Sequence, residues 1–130
     1  MSEAKKELSG ILAAGAVVMA LAITMGAFGA HALQSVLSEK ALNTYKTGQE
    51  YLIISGFSLL ALGFMDSFRP DNRFKTLAWT MGAGACIFTG TLMMISLAGI
   101  RWAGAITPIG GALLIGSWLA TAFVVLKPRS

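Results

Sequence analysis

The side chain with the widest chemical range in this sequence is His31, the sole histidine of the chain. It is also the one ionisable residue between Leu8 and Ser38. An imidazole beside an apolar run can carry a proton, ligate a metal, or contact a lipid headgroup or quinone. It can equally form a structural hydrogen bond between helices. A haem would need a second ligand such as Met25, and methionine is common core filler. We therefore expect no cofactor.

Carboxylates are absent from the interior of every apolar run. Transporters and proton pumps usually keep one near the middle of the membrane, so this absence disfavours ion-coupled transport. Glu50 lies nearest to such a run, and Lys46 precedes it by one helical turn, which predicts a local ion pair. The single cysteine, Cys86, excludes an intramolecular disulfide. Because the sequence shows no nucleophile–base pair, metal-ligand spacing or phosphate loop, we expect neither enzymatic activity nor a bound metal.

The composition is that of a membrane protein. The chain has 130 residues, of which 55% are hydrophobic and 12% are charged, and its mean hydropathy is +0.71. A typical soluble domain is about 25% charged. This composition excludes a soluble enzyme, a disordered regulator and a nucleic-acid binder. It leaves the lipid bilayer as the expected surroundings.

Apolar runs divide the chain into four expected crossings, at about residues 8–30, 48–68, 76–99 and 104–126. Three of the runs are long enough to cross a hydrocarbon core of about 30 Å as a helix. The second apolar run, Tyr51 to Met65, has 15 residues, so it must recruit flanking residues or tilt less than its neighbours. The first run also resembles a signal peptide, but it exceeds the usual apolar core of about 7–15 residues. We predict an all-α integral membrane four-helix bundle that forms one domain over residues 1–130.

The segment between the first and second crossings, residues 33–50, carries apolar residues at Leu33, Leu37, Ala41 and Tyr45 with polar residues between them. This spacing favours a short amphipathic helix at the membrane surface, although a partly ordered connector would also fit. Ser38 is a suitable N-cap for a helix that continues into the second crossing.

Positive charges predict the orientation. With four crossings, the N-terminus, the 66–75 loop and the C-terminus share one side of the membrane. The opposite side carries fewer basic residues, so both termini are expected in the cytoplasm. The basic residues of the first side are Lys5, Lys6, Arg69, Arg73, Lys75, Lys127 and Arg129, and those of the other are Lys40, Lys46 and Arg101.

Small residues recur every four positions in three of the crossings, which allows helices to approach closely. Our first interpretation is packing within the bundle, and the alternative is that one stripe faces another protein. Pro108 is expected to kink the fourth crossing, where the neighbouring residues could pack tightly or line a cavity. The stripes are Ala22, Gly26 and Ala30; Gly82, Cys86 and Gly90; and Ala112, Gly116 and Ala120.

Two longer motifs resemble those of the YgdD-like (DUF423) family of small membrane proteins of unknown function. They are Gly-Ala-Phe-Gly-Ala-His-Ala-Leu at 26–33 and Ala-Ile-Thr-Pro-Ile-Gly-Gly at 105–111. Shorter likenesses are Gly-Thr-Leu at 90–92 and Thr47-Gly48 with Tyr51. The family often has a second histidine where this chain has Ser55, so this member should lack any function of a histidine pair.

This resemblance implies a four-helix protein of the bacterial inner membrane and no particular activity. It adds weight to one candidate region, in which the two longer motifs would meet near one membrane face: Gly26, Gly29, His31, Thr107, Pro108 and Gly111.

We expect an accessory or structural subunit that packs against a larger membrane complex, or against copies of itself. Two alternatives stay open at this point. One is a small oligomeric channel or transporter with the Pro108 region along its path. The other is a lipid- or quinone-handling enzyme around His31.

Overall fold

The computed structural model describes residues 2–127, and these form four long helices joined by short connections. The helices are α1 (Glu3–His31), α2 (Glu39–Phe68), α3 (Asn72–Ala98) and α4 (Thr107–Leu126). A short 3-10 helix, Arg101–Ala105, precedes α4. All four long segments are long and apolar enough to cross a membrane. The predicted all-α four-helix architecture is confirmed.

Local capping residues set the ends of the helices. The Ser38 hydroxyl accepts a hydrogen bond from the Ala41 amide at 3.1 Å, so Ser38 is the N-cap of α2, as predicted. The Asp71 carboxylate accepts from the Arg73 amide in the same way at the start of α3. Gly99, at φ 69°, ends α3 in the left-handed conformation that glycine adopts without strain.

The segment between α1 and α2 contains no separate helix within residues 32–38, which form turns. From Glu39 onwards the chain is already α2, which continues into the second crossing without a break. In the amphipathic segment 33–50, residues 33–38 therefore lie in the connection between α1 and α2, and residues 39–50 form the beginning of α2. Tyr45, the last apolar position of that pattern, is buried against α1.

Pro108 does not kink the fourth crossing, so that prediction is wrong. Because α4 begins at Thr107, Pro108 lies in its first turn. The first amides of a helix have no intrahelical acceptor, and the proline therefore removes no hydrogen bond there.

The helices pack in chain order, each antiparallel to the next. α2 packs on α1 and α3, and α3 packs on α4, with a smaller contact between α1 and α3. One end of the bundle holds His31 and the α3–α4 connection, and we call it the His31 end. The other holds the α2–α3 loop, and we call it the Arg69 end. A core with side chains from all four helices lies toward the Arg69 end: Ile11, Leu59, Leu62, Phe74, Ala78, Met81 and Val124.

Candidate functional site

The first long motif forms the junction of α1 with α2. Gly29 is buried, and a Cβ atom there would come within 2.8 Å of the Tyr45 ring. The glycine thus leaves room for the ring, whose hydroxyl donates to the carbonyl oxygen of Met25 at 2.6 Å. This hydrogen bond joins α1 to α2.

Gly26, about one helical turn before Gly29, leaves room for the Gln49 side chain in the same way. A Cβ atom at Gly26 would lie 3.0 Å from Gln49 Nε2. That nitrogen donates to the carbonyl oxygen of Ala22 at 3.1 Å, and Ala22 is fully buried. Polar side chains of α2 therefore bond directly to the backbone of α1, and the motif glycines allow the approach.

A cleft of about 230 Å³ lies beside this junction, between the end of α1 and the start of α2. Lys46 and Glu50 both line it, but they form no ion pair with each other, so the predicted local pair is absent. Its lining also includes Gly26, Gly29, Gln34 and Gln49.

His31 is the last residue of α1 and does not line this cleft. Its side chain is exposed, and it forms no hydrogen bond or ion pair within residues 2–127.

The shorter likeness at Thr47-Gly48 lies where α2 meets α3. The Thr89 hydroxyl, which is buried, donates to the carbonyl oxygen of Gly48 at 3.2 Å. A Cβ atom at Gly48 would come within 2.6 Å of the Met93 methyl group. Ser55 is buried and donates to the carbonyl oxygen of Tyr51 at 2.7 Å. These contacts are all structural.

The second long motif forms the junction of α3 with α4. The hydroxyl oxygens of Thr91 and Thr107 lie 2.6 Å apart. The Thr107 hydroxyl is also 3.2 Å from the carbonyl oxygen of Ala103, and the Thr91 hydroxyl is 2.8 Å from that of Ile87. Two threonines from separate motifs thus link the ends of neighbouring crossings.

Close backbone contact continues this junction into the membrane. A Cβ atom at Gly110 would lie 2.5 Å from the amide nitrogen of Phe88, and one at Gly84 would lie 2.9 Å from Leu113 Cβ. At Gly111 the nearest atom, in the Phe88 ring, is an ordinary 3.6 Å away. Gly84 and Gly110, rather than Gly111 of the candidate region, are therefore the residues that require glycine here.

The two long motifs form separate junctions. α1 packs chiefly on α2, and α4 packs on α3, whereas α1 and α4 share no extended contact within the described residues. His31 therefore lies at the α1–α2 junction, and Thr107 at the α3–α4 junction. Pro108 is exposed.

Only the first small-residue stripe packs inside the bundle, through Ala22 and Gly26; Ala30 is exposed. The other two stripes face away from it. A Cβ atom at Gly82, Gly90 or Gly116 would meet no heavy atom within 4 Å. Cys86 and Ala112 are exposed, and Ala120 is half-buried.

Sequence reasoning missed a buried ion pair at the Arg69 end. Lys75 Nζ lies 3.0 Å from Asp66 Oδ2, and the two side chains are 7% and 4% exposed. The other carboxylate oxygen of Asp66 accepts from the Asp71 amide at 3.0 Å. Lys75 is thus a structural residue between α2 and α3. The sequence does contain a signal for this pair, because Asp66 directly follows the second apolar run and the oppositely charged Lys75 directly precedes the third.

Two arginines cap the C-terminus of α4. Arg69 donates to the carbonyl oxygens of Val124 and Val125 at 3.0 and 3.3 Å. Arg73 donates to that of Lys127 at 3.1 Å and pairs with Asp71 at 2.6 Å. Cations suit a helix C-terminus because its last carbonyls are unsatisfied and carry partial negative charge.

Comparison with known proteins places these motifs in one family. Residues 25–111 match the family described as "Protein of unknown function (DUF423)". The UPF0382 membrane protein YwdK of Bacillus subtilis is 35% identical over 87% of this chain and 93% of its own length. A UPF0382 membrane protein of Staphylococcus saprophyticus is 39% identical over the same shares. One from Haemophilus influenzae is 33% identical over 83% of this chain and 86% of its own. No solved structure matches the chain.

Proposed function

We propose a helix-docking role for this chain, which belongs to the DUF423 family of membrane proteins of unknown function. In this proposal it is a non-enzymatic accessory subunit of the bacterial inner membrane. It packs the outward small-residue faces of α3 and α4 against a larger membrane complex.

The outward direction of these faces carries the proposal. Glycine inside a helix costs roughly 0.5–1 kcal/mol relative to alanine, so a membrane helix gains from it chiefly where another backbone approaches. Within the bundle, the backbone of a neighbouring helix approaches Gly84 and Gly110 closely, whereas no atom lies within 4 Å of a Cβ at Gly90 or Gly116. A partner helix outside this chain would give those outward glycines the same use.

The hydrogen bonds of the buried and half-buried polar side chains support a structural rather than a chemical function. Tyr45, Gln49 and Thr89 each bond to the backbone of a neighbouring helix. Thr91 bonds to Thr107 across the α3–α4 junction. These side chains are occupied in holding the bundle together, and His31 forms no hydrogen bond or ion pair within residues 2–127.

We also propose that the Arg69 end lies in the cytoplasm, together with both termini. Support comes from the excess of lysine and arginine at that end. Arg129, one of the residues behind this assignment, lies outside the described residues. A fluorescent protein fused after residue 130 should fluoresce, whereas alkaline phosphatase fused there should be inactive. The opposite pattern would reverse the assignment.

The docking role is tested by extracting native membranes in a mild detergent and measuring the apparent mass of this chain by native gel and mass spectrometry. Comigration with a larger complex is expected. Gly90→Leu and Gly116→Leu should release the chain, since they fill the outward faces. The matched control is Gly10→Leu, at an outward glycine of α1 that belongs to no stripe.

Migration of the wild-type chain alone or as a small homo-oligomer would contradict the proposal. So would comigration that survives both stripe substitutions. Ion or substrate flux through liposomes that contain the pure protein would favour a channel or transporter instead.

A further inference from the structure

The Arg69 end carries a groove of about 340 Å³ beside the capped terminus of α4. Its walls are apolar and come from three helices, with one charged residue, Arg69, among them. Phe74 is buried beneath it, and Phe64 and Phe68 pack against each other with ring centroids 4.8 Å apart. The lining residues are Phe64, Met65, Phe68, Arg69, Phe74 and Val125.

Arg69 differs electrostatically from its basic neighbours. Lys75 is paired with Asp66, and Arg73 is paired with Asp71. Arg69 forms no ion pair within residues 2–127. It donates to two carbonyl oxygens of α4, and its guanidinium carbon lies 5.4 Å from the centre of the Phe74 ring. The carbonyl oxygens that it contacts carry the partial negative charge of a helix C-terminus.

The guanidinium also has donors to spare. A guanidinium carries five N–H donors in a planar fork. Arg69 uses one on Nη1 and one on Nη2 for the α4 carbonyls. Its Nε and the remaining hydrogens stay available, in a side chain whose position those carbonyls fix. This fork geometry matches the oxygens of a phosphate.

Arg69 and the groove are arranged along the bundle in the same order as the charged headgroup and the apolar acyl chain of a phospholipid. Arg69 follows α2, and Phe64 lies one to two turns back along that helix, about 7 Å deeper at 1.5 Å per residue. The charged group thus lies at the end of a helix long enough to cross a membrane, and the apolar groove extends from it toward the middle of that helix. A lipid phosphate at Arg69 would place the first methylenes of an acyl chain along Phe64 and Phe68.

We propose that this groove binds one acyl chain of an anionic phospholipid, whose phosphate accepts hydrogen bonds from Arg69. A net anionic lipid is favoured over a zwitterionic one because the latter carries its own ammonium and leaves the charge of Arg69 uncompensated. The inference concerns a lipid and does not depend on the docking role proposed above.

The test is native mass spectrometry of the full chain in a neutral detergent, titrated with phosphatidylglycerol, phosphatidylcholine and inorganic phosphate. We expect phosphatidylglycerol to bind in preference to the other two. Arg69→Gln should weaken its binding about tenfold, or ~1.4 kcal/mol. Arg73→Gln is the matched control, since it also removes a cap from α4 but affects an arginine already paired with Asp71; its affinity should stay within about twofold of wild type.

A second variant keeps the charge and fills the groove. Val125→Phe should lower phosphatidylglycerol binding while Arg69 is unchanged, and it serves if Arg69→Gln does not fold. Equal binding of phosphatidylcholine would overturn the proposal, as would equal losses in both arginine variants. Binding of inorganic phosphate as tight as that of the lipid would show that the groove contributes nothing, and would overturn it too.

Discussion

The hydroxyl oxygens of Thr91 on α3 and Thr107 on α4 lie 2.6 Å apart and join the ends of two crossings. Thr107 belongs to the second long motif, and Thr91 belongs to the short Gly-Thr-Leu sequence sixteen residues before it. Between them lies the tight connection of the 3-10 helix. In an apolar environment, a hydrogen bond between side chains of two helices stabilises their packing.

Removal of this link should weaken the bundle by a small, measurable amount. Thr107→Val should lower the free energy of unfolding by about 0.6 kcal/mol, the average for such interhelical hydrogen bonds in a membrane. Denaturation in mixed micelles measures it. Thr24→Val is the control, because the Thr24 hydroxyl is exposed and bonds within its own helix. Equal losses in both variants would contradict a specific role for the Thr91–Thr107 pair.

Crosslinking should distinguish the two junctions. With Cys86→Ser as background, Thr91→Cys combined with Thr107→Cys should form a disulfide on mild oxidation, because the hydroxyl positions are already adjacent. His31→Cys combined with Thr107→Cys should not, since these residues lie at different junctions. Gel mobility under non-reducing conditions reports both. An efficient His31–Thr107 crosslink would show that the long motifs meet after all.

Two glycines of α4 should respond oppositely to alanine. Gly110→Ala forces a methyl group to within 2.5 Å of the Phe88 amide nitrogen, and overpacking of this kind costs about 1–3 kcal/mol. Gly116→Ala meets no atom within 4 Å and should leave the free energy of unfolding unchanged or raise it by up to ~1 kcal/mol. Thermal melting in detergent compares them. Similar melting temperatures would refute the assignment of inward and outward glycines.

The contribution of the buried Asp66–Lys75 ion pair to the free energy of unfolding should depend on both residues. Asp66→Asn leaves the Lys75 ammonium buried without its counter-charge and should lower the free energy of unfolding by about 3 kcal/mol. Asp66→Asn combined with Lys75→Met removes the stranded charge and should recover a large part of the loss. The matched exposed pair is Lys6–Glu3, where Glu3→Gln should change stability by less than about 0.5 kcal/mol. A double variant no more stable than Asp66→Asn would argue against the pair.

The sequence alone determined that this protein is a membrane bundle of four helices. Apolar run length, scarce charge and the need to satisfy the backbone in lipid leave few other architectures. The cap at Ser38 and the family motifs could also be read directly, because both depend on neighbouring residues.

Tertiary structure decided which small residues pack and which polar groups meet. Gly84 and Gly110 look no different in sequence from Gly82 and Gly111, since helical spacing gives the face of a residue but not what lies opposite. Asp66 and Lys75 read as loop charges until the ends of α2 and α3 were brought together. The predicted kink at Pro108 was wrong because the effect of a proline depends on where its helix begins. The short 3-10 helix precedes α4, which begins at Thr107, so Pro108 falls in the first turn. Relations across helices arise from packing, which local patterns do not encode.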